Sequence, residues 1–209
     1  MSSDDERAPS SDASAILSKD RLRREIRDRL RAMTAAEHTD ASRRIVEALR
    51  SQPAFGDARS ILFYIPLASE PDVREAIDAA RARGAAILLP RSRREPPSIE
   101  LAPLGTARLD ELPLDELGVP APTGIAADPG TVDLAVVPGV AFDAEGGRLG
   151  RGGGFYDRLL GSLPATTMAF GICFDRQVVE RVPRETHDLR VQAVITESGR
   201  LRRSDPSGR

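Results

Sequence analysis

Val132-Asp-Leu-Ala-Val-Val137, then Gly146-Gly-Arg-Leu-Gly-Arg-Gly-Gly-Gly154, then Phe155-Tyr-Asp-Arg-Leu-Leu160: an apolar run, a glycine loop and a helical segment follow one another within 29 residues. The run is short, β-branched and apolar on both faces, as a buried strand is. In an open α/β sheet, ligands bind outside the carboxyl ends of the strands. A glycine loop placed there lets backbone N–H groups approach an anion closely, and the helix N-terminus behind it adds positive partial charge. Arg148 and Arg151 add formal charge. The device suits phosphate. Composition alone also permits a flexible surface turn; the flanking elements and the two arginines favour the anion site. No Gly-Lys-Ser/Thr follows, so this is not a Walker A loop, nor is it the full Gly-x-Gly-x-x-Gly dinucleotide pattern. Asp157 stands just after the loop. A carboxylate beside phosphate calls for a mediating cation, and Mg²⁺ is the natural one. A first-turn Asp equally suits the helix dipole, and the residue alone leaves both readings open.

Outward from this unit the chain alternates strands and helices. Ser60–Ile65, Ala85–Leu89, Thr167–Cys173 and Val191–Thr196 read as further buried strands, with a weaker one at Ile99–Ala102. A helix is expected after Pro71, which suits a first helical turn, running through Val73, Ala76 and Ile77 to a stop at Gly84. Near the N-terminus, Leu22, Ile26, Leu30 and Met33 form one apolar stripe on a helix starting near Ser18. Thr34-Ala-Ala-Glu37 is a capping box opening a second helix to about Arg50. Residues 103–130 are dense in Pro, Gly and Asp and read as an irregular excursion. Residues 1–16 have almost no large apolar side chains to bury and are expected to be disordered, 17–200 to form a single domain, and 201–209 a flexible tail. The alternation predicts an α/β fold: one mostly parallel, twisted sheet flanked by helices in three layers.

The 209 residues suffice for a real core without disulfides. A single cysteine, Cys173, excludes an internal disulfide and a cysteine-cluster metal site, and two histidines exclude a multi-histidine zinc site. Cys173 itself reads as an inert core thiol. The net charge of −2 argues against general nucleic-acid binding. No apolar run is long enough for a membrane helix and the acidic start has no signal-peptide core, so a cytoplasmic protein is expected. Lys19 is the only lysine. With Arg23, one turn on, it faces one direction, although charge runs on helices are usually solvated faces.

Val137-Pro-Gly-Val-Ala-Phe-Asp143 followed by Arg148-Leu-Gly-Arg-Gly-Gly-Gly-Phe-Tyr-Asp-Arg158 resembles the 5-formyltetrahydrofolate cyclo-ligase family. Lys19-Asp-Arg-Leu-Arg23, Tyr64-Ile-Pro-Leu-Ala-Ser-Glu70, and Val182-Pro to Asp188 with Val194-Ile-Thr-Glu197 agree, so the resemblance runs from about residue 18 to 198. It implies an ATP- and Mg²⁺-dependent closure of 5-formyltetrahydrofolate to 5,10-methenyltetrahydrofolate, with release of ADP and phosphate. An N-formyl amide carbonyl resists attack, so its oxygen must be activated by the γ-phosphoryl group before N10 can close the ring. Such a reaction needs positioning and charge neutralisation rather than a protein nucleophile.

The resemblance also implies roles. Lys19, Arg23, Arg148, Leu149, Gly150, Arg151, Gly152, Gly153, Gly154, Phe155 and Tyr156 would contact ATP. Tyr64 and Glu70, with Arg151, Gly152, Gly153, Gly154 and Phe155, would contact folate, with or without a polyglutamate tail. Arg151 and Asp157 would be catalytic, and Asp157 with Asp188 would hold Mg²⁺. Ordinary packing accounts for Tyr64 alone, helix capping for Glu70 and an Asx-type turn for Asp188. Arg91, at the end of its strand, is a candidate for an anionic tail, and His187 reads as a packing residue. Phe155 stands where many family members have tyrosine, and Gln192 where an acidic residue is common. On this reading Asp157→Ala removes Mg²⁺ dependence and leaves folding largely intact. The chain is expected to be monomeric and to need neither nucleic acid nor membrane. A non-catalytic folate- or nucleotide-binding regulator, or an ATP-dependent ligase or kinase with another substrate, are the competing readings.

Overall fold

The computed structural model describes residues 11–95, 98–185, 188–199 and 202–203. Helices α1 (Ser11–Arg31), α2 (Ala35–Arg50), α3 (Pro53–Asp57), α4 (Arg74–Ala82) and α5 (Phe155–Ser162) alternate with strands β1 (Ser60–Leu62), β2 (Ala86–Arg93), β3 (Ser98–Pro103), β4 (Leu134–Pro138), β5 (Ala141–Phe142), β6 (Arg148–Leu149), β7 (Met168–Ile172), β8 (Ala193–Ile195) and β9 (Arg202–Arg203). The main sheet has the order β3-β2-β1-β4-β7-β8-β9. Its five central strands run parallel, and β3 and β9 pair antiparallel at the edges. One face packs under α2, α3 and α4 through Ile61, Ile87, Leu134, Val136 and Ile172. The other packs under α5 through Leu62, Ala135, Val137 and Val194 against Leu159 and Leu163. The three-layer α/β expectation is borne out, because strands apolar on both faces must be covered on both.

The capping box at Thr34 forms as read: Thr34 Oγ1 accepts from Glu37 N–H, and Glu37 accepts from Thr34 N–H. Other expectations shift. The helix expected from Ser18 begins at Ser11, so part of the segment expected to be disordered is helical; residues 1–10 lie outside the described residues. Pro71 precedes α4 rather than opening it. Its carbonyl accepts from the Tyr64 hydroxyl, and Asp72 N–H donates to Ser42 Oγ, which keeps this stretch out of the helix until Arg74. The tail carries a short antiparallel strand at Arg202–Arg203, beyond which 204–209 lie outside the described residues.

The topology creates a crevice. From β1 the chain turns to β2 on one side, whereas β4 lies on the other side of β1 and continues to β7. The segments leaving the carboxyl ends of β1 and β4 therefore diverge, which is where open α/β sheets bind ligands. Residues 63–70 form one lip and residues 139–156 the other.

Candidate active site

The second lip is more constructed than its glycines suggest. β5 and β6 form a small antiparallel hairpin that carries the loop. Asp143, 2% exposed, pins its turn: Oδ1 accepts from the N–H groups of Glu145 and Gly147 at 2.9 and 2.8 Å, and Oδ2 from Val182 N–H at 2.9 Å. Gly139 has no room for a side chain, since a Cβ there would lie 2.6 Å from the Phe142 ring. Gly152 and Gly154 adopt φ of 112° and 63°, a region that favours glycine, and Gly154 caps α5. The free N–H groups of the first turn of α5 thus face the loop.

Across the loop lies α1. Ile26 is fully buried with Ala141, Leu149 and Val182, which seats the helix against the hairpin. That seating brings Lys19 and Arg23 to the loop. Arg23 Nε donates to Gly150 O at 3.0 Å. Lys19 Nζ sits 2.8 Å from Glu185 Oε1 and 2.7 Å from Asp188 Oδ2. Burial opposes the charge on Lys19, but the hydrogen bonds it donates to Asp188 and Glu185, with the attraction of both carboxylates, outweigh it and hold its pKa above the ordinary lysine value.

Three cavities adjoin the loop. One, of about 740 Å³, opens beside α1 and takes in Arg23, Glu70, Gly139, Arg151 and Gln177; the other two meet at the loop. The first of these, of about 660 Å³, is polar, and Lys19, Arg23, Gly150, Gly152, Asp157 and Asp188 line it. The second, of about 340 Å³, is lined by Tyr64, Glu70, Pro90, Ile99, Phe155 and Tyr156. Arg148, Gly150, Gly154 and Asp157 belong to both, so the cavities share a wall. Arg148 is 2% exposed at its side chain; Nη2 pairs with Asp157 Oδ1 at 2.8 Å, and the guanidinium lies 5.7 Å from the Tyr156 ring centroid. Burial raises the pKa of the Tyr156 hydroxyl.

The expected site residues therefore gather, with redistribution. Lys19, Arg23, Leu149, Gly150 and Gly152 stand at the polar cavity with Asp157 and Asp188. Gly153 and Phe155, assigned to both ligands by resemblance, and Tyr156, assigned to ATP alone, line the apolar cavity. Tyr64 is 2% exposed and its hydroxyl donates to Pro71 O, so it shows the apolar cavity a packed ring rather than a free hydroxyl; burial raises its pKa. Arg151 does not line the polar cavity; it pairs with Glu70 across the crevice.

Arg91 is displaced from its expected role. β2 continues to Arg93, and alternation turns Pro90 and Ser92 to the cavity and Arg91 away, onto Glu100 and the carbonyls of Pro122 and Gly124. Gln192 accepts from Ala169 N–H within the sheet. Cys173 is fully buried, which raises its thiol pKa well above the ordinary value, as an inert core thiol requires. His187 lies outside the described residues.

Sequence reasoning missed Asp143 and Gln177, whose Nε2 donates to the carbonyls of Gly139 and Val140. The only signal for either was position: Asp143 follows an apolar strand and precedes glycines, as a turn-forming Asp does.

Among the described residues no cluster of three or more His, Cys, Asp or Glu side chains is poised for a metal. Asp157 and Asp188 do share the polar cavity with the anion loop, and one or two carboxylates with phosphate oxygens and water are what Mg²⁺ takes. The donor set fits a cation brought with phosphate.

A family profile described as the 5-formyltetrahydrofolate cyclo-ligase family matches residues 15–197. The 5-formyltetrahydrofolate cyclo-ligase of Mycolicibacterium smegmatis is 36% identical over 143 residues, covering 66% of this chain and 73% of that protein. The Escherichia coli K12 protein of the same name is 29% identical over 185 residues, covering 83% and 97%. Among solved structures, the NMR structure of Aquifex aeolicus 5,10-methenyltetrahydrofolate synthetase superposes with a TM-score of 0.76 at 30% identity, covering 88% of this chain and 92% of that one. A Mycoplasma pneumoniae 5,10-methenyltetrahydrofolate synthetase gives 0.66 at 20% identity over 86% and 98%, a likeness of fold.

Proposed function

The chain belongs to the 5-formyltetrahydrofolate cyclo-ligase family, and from that premise we propose how its two cavities divide the work. The enzyme closes 5-formyltetrahydrofolate to 5,10-methenyltetrahydrofolate with ATP. ATP lies along the polar cavity, its phosphates against the N–H groups of Gly150–Gly154 and the cations Lys19 and Arg23. Folate lies in the apolar cavity, its ring system against Phe155 and Tyr156 and its pyrimidine edge toward Glu70. The shared wall of Arg148, Gly150, Gly154 and Asp157 is the observation that carries this reading. It is the place where a γ-phosphoryl group and a formyl oxygen can meet.

The residues then act by placement. The loop and the first turn of α5 spread N–H groups over the charge that grows on the transferring group. The formyl oxygen takes the phosphoryl group, ADP leaves, and N10, held beside the activated carbon, closes the ring and gives up its proton as phosphate departs. Holding N10 there makes the second step intramolecular in effect. No side chain is required as a nucleophile. Asp157 and Asp188 would hold Mg²⁺, which supplies charge neutralisation at the phosphates. Arg148, fixed by Asp157, keeps a positive charge at the junction.

We also read the enzyme as a cytoplasmic monomer acting on folates with or without a polyglutamate tail. Among the described residues, no helix is long and apolar enough to cross a membrane. The test of function is the near-ultraviolet absorbance of the methenyl product. Purified protein with 5-formyltetrahydrofolate, ATP and Mg²⁺ is expected to produce it, and to stop when ATP is omitted or a chelator is added. Folded protein that binds folate without producing absorbance would instead be a regulator on this scaffold.

A further inference from the structure

Arg151 sits in the anion loop, yet its side chain leaves the polar cavity and crosses to the other lip. Its Nη2 and Nε lie 2.9 and 3.3 Å from Glu70 Oε1, and Nη2 is 3.4 Å from Ser69 Oγ. Glu70 is the anchored member. Its side chain is 9% exposed against 55% for Arg151, and Oε2 accepts from Leu67 N–H at 3.0 Å. The pair is incompatible with what each residue offers a ligand. A donor-rich ring edge can reach Glu70 Oε1 only by displacing the guanidinium. A phosphate on the loop can recruit Arg151 only by drawing it off Glu70.

We infer that Glu70 and Arg151 form a latch that couples the two ligands: folate in the apolar cavity takes Glu70 and releases Arg151 to the terminal phosphate of ATP. This rests on the division of ligands proposed above. Whichever ligand arrives first breaks the ion pair, and the second does not have to, so each tightens the other by the same factor. The latch also gives order to the chemistry. With ATP bound alone, Glu70 still competes for the arginine that steadies phosphoryl transfer, so transfer of its terminal phosphoryl group to water, giving ADP and phosphate, is slowed until folate arrives.

The test is equilibrium binding of β,γ-imido-ATP with Mg²⁺ to the full chain, with and without 5-formyltetrahydrofolate. In the wild type, folate is expected to tighten the nucleotide at least about fivefold. In Glu70→Gln the nucleotide alone should already bind at least about fivefold more tightly than to the wild type, with nothing further gained from folate. In Arg151→Ala, a change at an exposed side chain, affinity should stay at the low folate-free level under both conditions. The double variant should behave as Arg151→Ala, which separates release of Arg151 from mere loss of a negative charge. A purely structural role would move both single variants the same way. Glu70→Gln binding nucleotide no more tightly than the wild type overturns the latch. Folate that binds the wild type without tightening the nucleotide overturns the latch alone; folate that does not bind the wild type overturns the ligand assignment with it.

Discussion

Arg148 Nη2 lies 2.8 Å from Asp157 Oδ1, and the arginine side chain is 2% exposed against 22% for the aspartate. The carboxylate proposed for Mg²⁺ is therefore also the counter-ion of a buried guanidinium. Removing one partner of such a pair leaves an uncompensated charge.

This changes what Asp157 variants should do. Asp157→Ala, expected from sequence alone to leave folding intact, should instead cost about 2–3 kcal/mol, reduced from the fully buried case by the partial exposure of Asp157. For a chain of this length that is a melting temperature lower by about 4–12 °C. Asp157→Asn keeps an oxygen acceptor for Arg148 and should melt closer to the wild type while losing most turnover and Mg²⁺ dependence. Thermal melts beside Mg²⁺ titrations of activity check both. An Asn variant with normal Mg²⁺ dependence removes Asp157 from the metal site.

Lys19→Ala should raise the ATP concentration needed for half-maximal rate by about tenfold, the loss of one charge-assisted contact. The folate requirement should change much less. Initial rates with each substrate varied in turn measure this. An unchanged ATP requirement would assign Lys19 to the Glu185–Asp188 pair alone.

Asp143→Ala should be among the most destabilising single changes near the site. It orphans the buried N–H groups of Gly147 and Val182 and the partly buried one of Glu145. At roughly 1–3 kcal/mol per unsatisfied buried group, a loss of about 2 kcal/mol or more is expected, read by urea denaturation. Asp143→Asn should fall between the variant and the wild type. A loss below about 1 kcal/mol in the alanine variant would mean that the hairpin relaxes to water at little cost.

Glu197 carries a pH dependence. Burial raises its pKa above the ordinary glutamate value, outweighing the hydrogen bonds from its own N–H and that of Asp175; the Asp175 carboxylate adds to the shift and Arg44 opposes it. A carboxyl with a raised folded pKa binds its proton more tightly folded than unfolded. Its contribution is favourable below about pH 4, near the unfolded value, and lost as pH rises through the folded one. Glu197→Gln should therefore melt above the wild type at pH 7, with the gap closing as pH falls toward 4. A gap independent of pH would contradict this.

How far these residues were legible in the sequence depended on distance along the chain. The strand, loop and helix around residues 132–160 were readable because apolar runs and glycine clusters are local signals. So was the Thr34–Glu37 capping box, whose partners lie three residues apart. The β5–β6 hairpin was not, since strands of two residues carry no periodicity and theirs is fixed by Asp143 and the packing of Phe142. The face of Arg91 depended on β2 running four residues past Leu89, which its Pro90 and arginines disguised. Tertiary hydrogen bonds of Pro71 and Asp72 overrode a fair helix-start signal. The Glu70–Arg151 pair joins residues 81 apart, and no local pattern could announce it.

Ile26 is fully buried against Ala141, Leu149 and Val182, so α1 is a fixed wall and not a lid. Swinging it open would expose that side chain at a cost of roughly 1.5–3 kcal/mol on every cycle, besides breaking the Arg23 contact to Gly150. On the division of ligands proposed above, residues 151–154, one exposed arginine and three glycines, are the part of the loop with the torsional freedom to yield to departing ADP and phosphate. Turnover should then respond to stiffening that four-residue backbone segment far more than to reinforcing the helix above it.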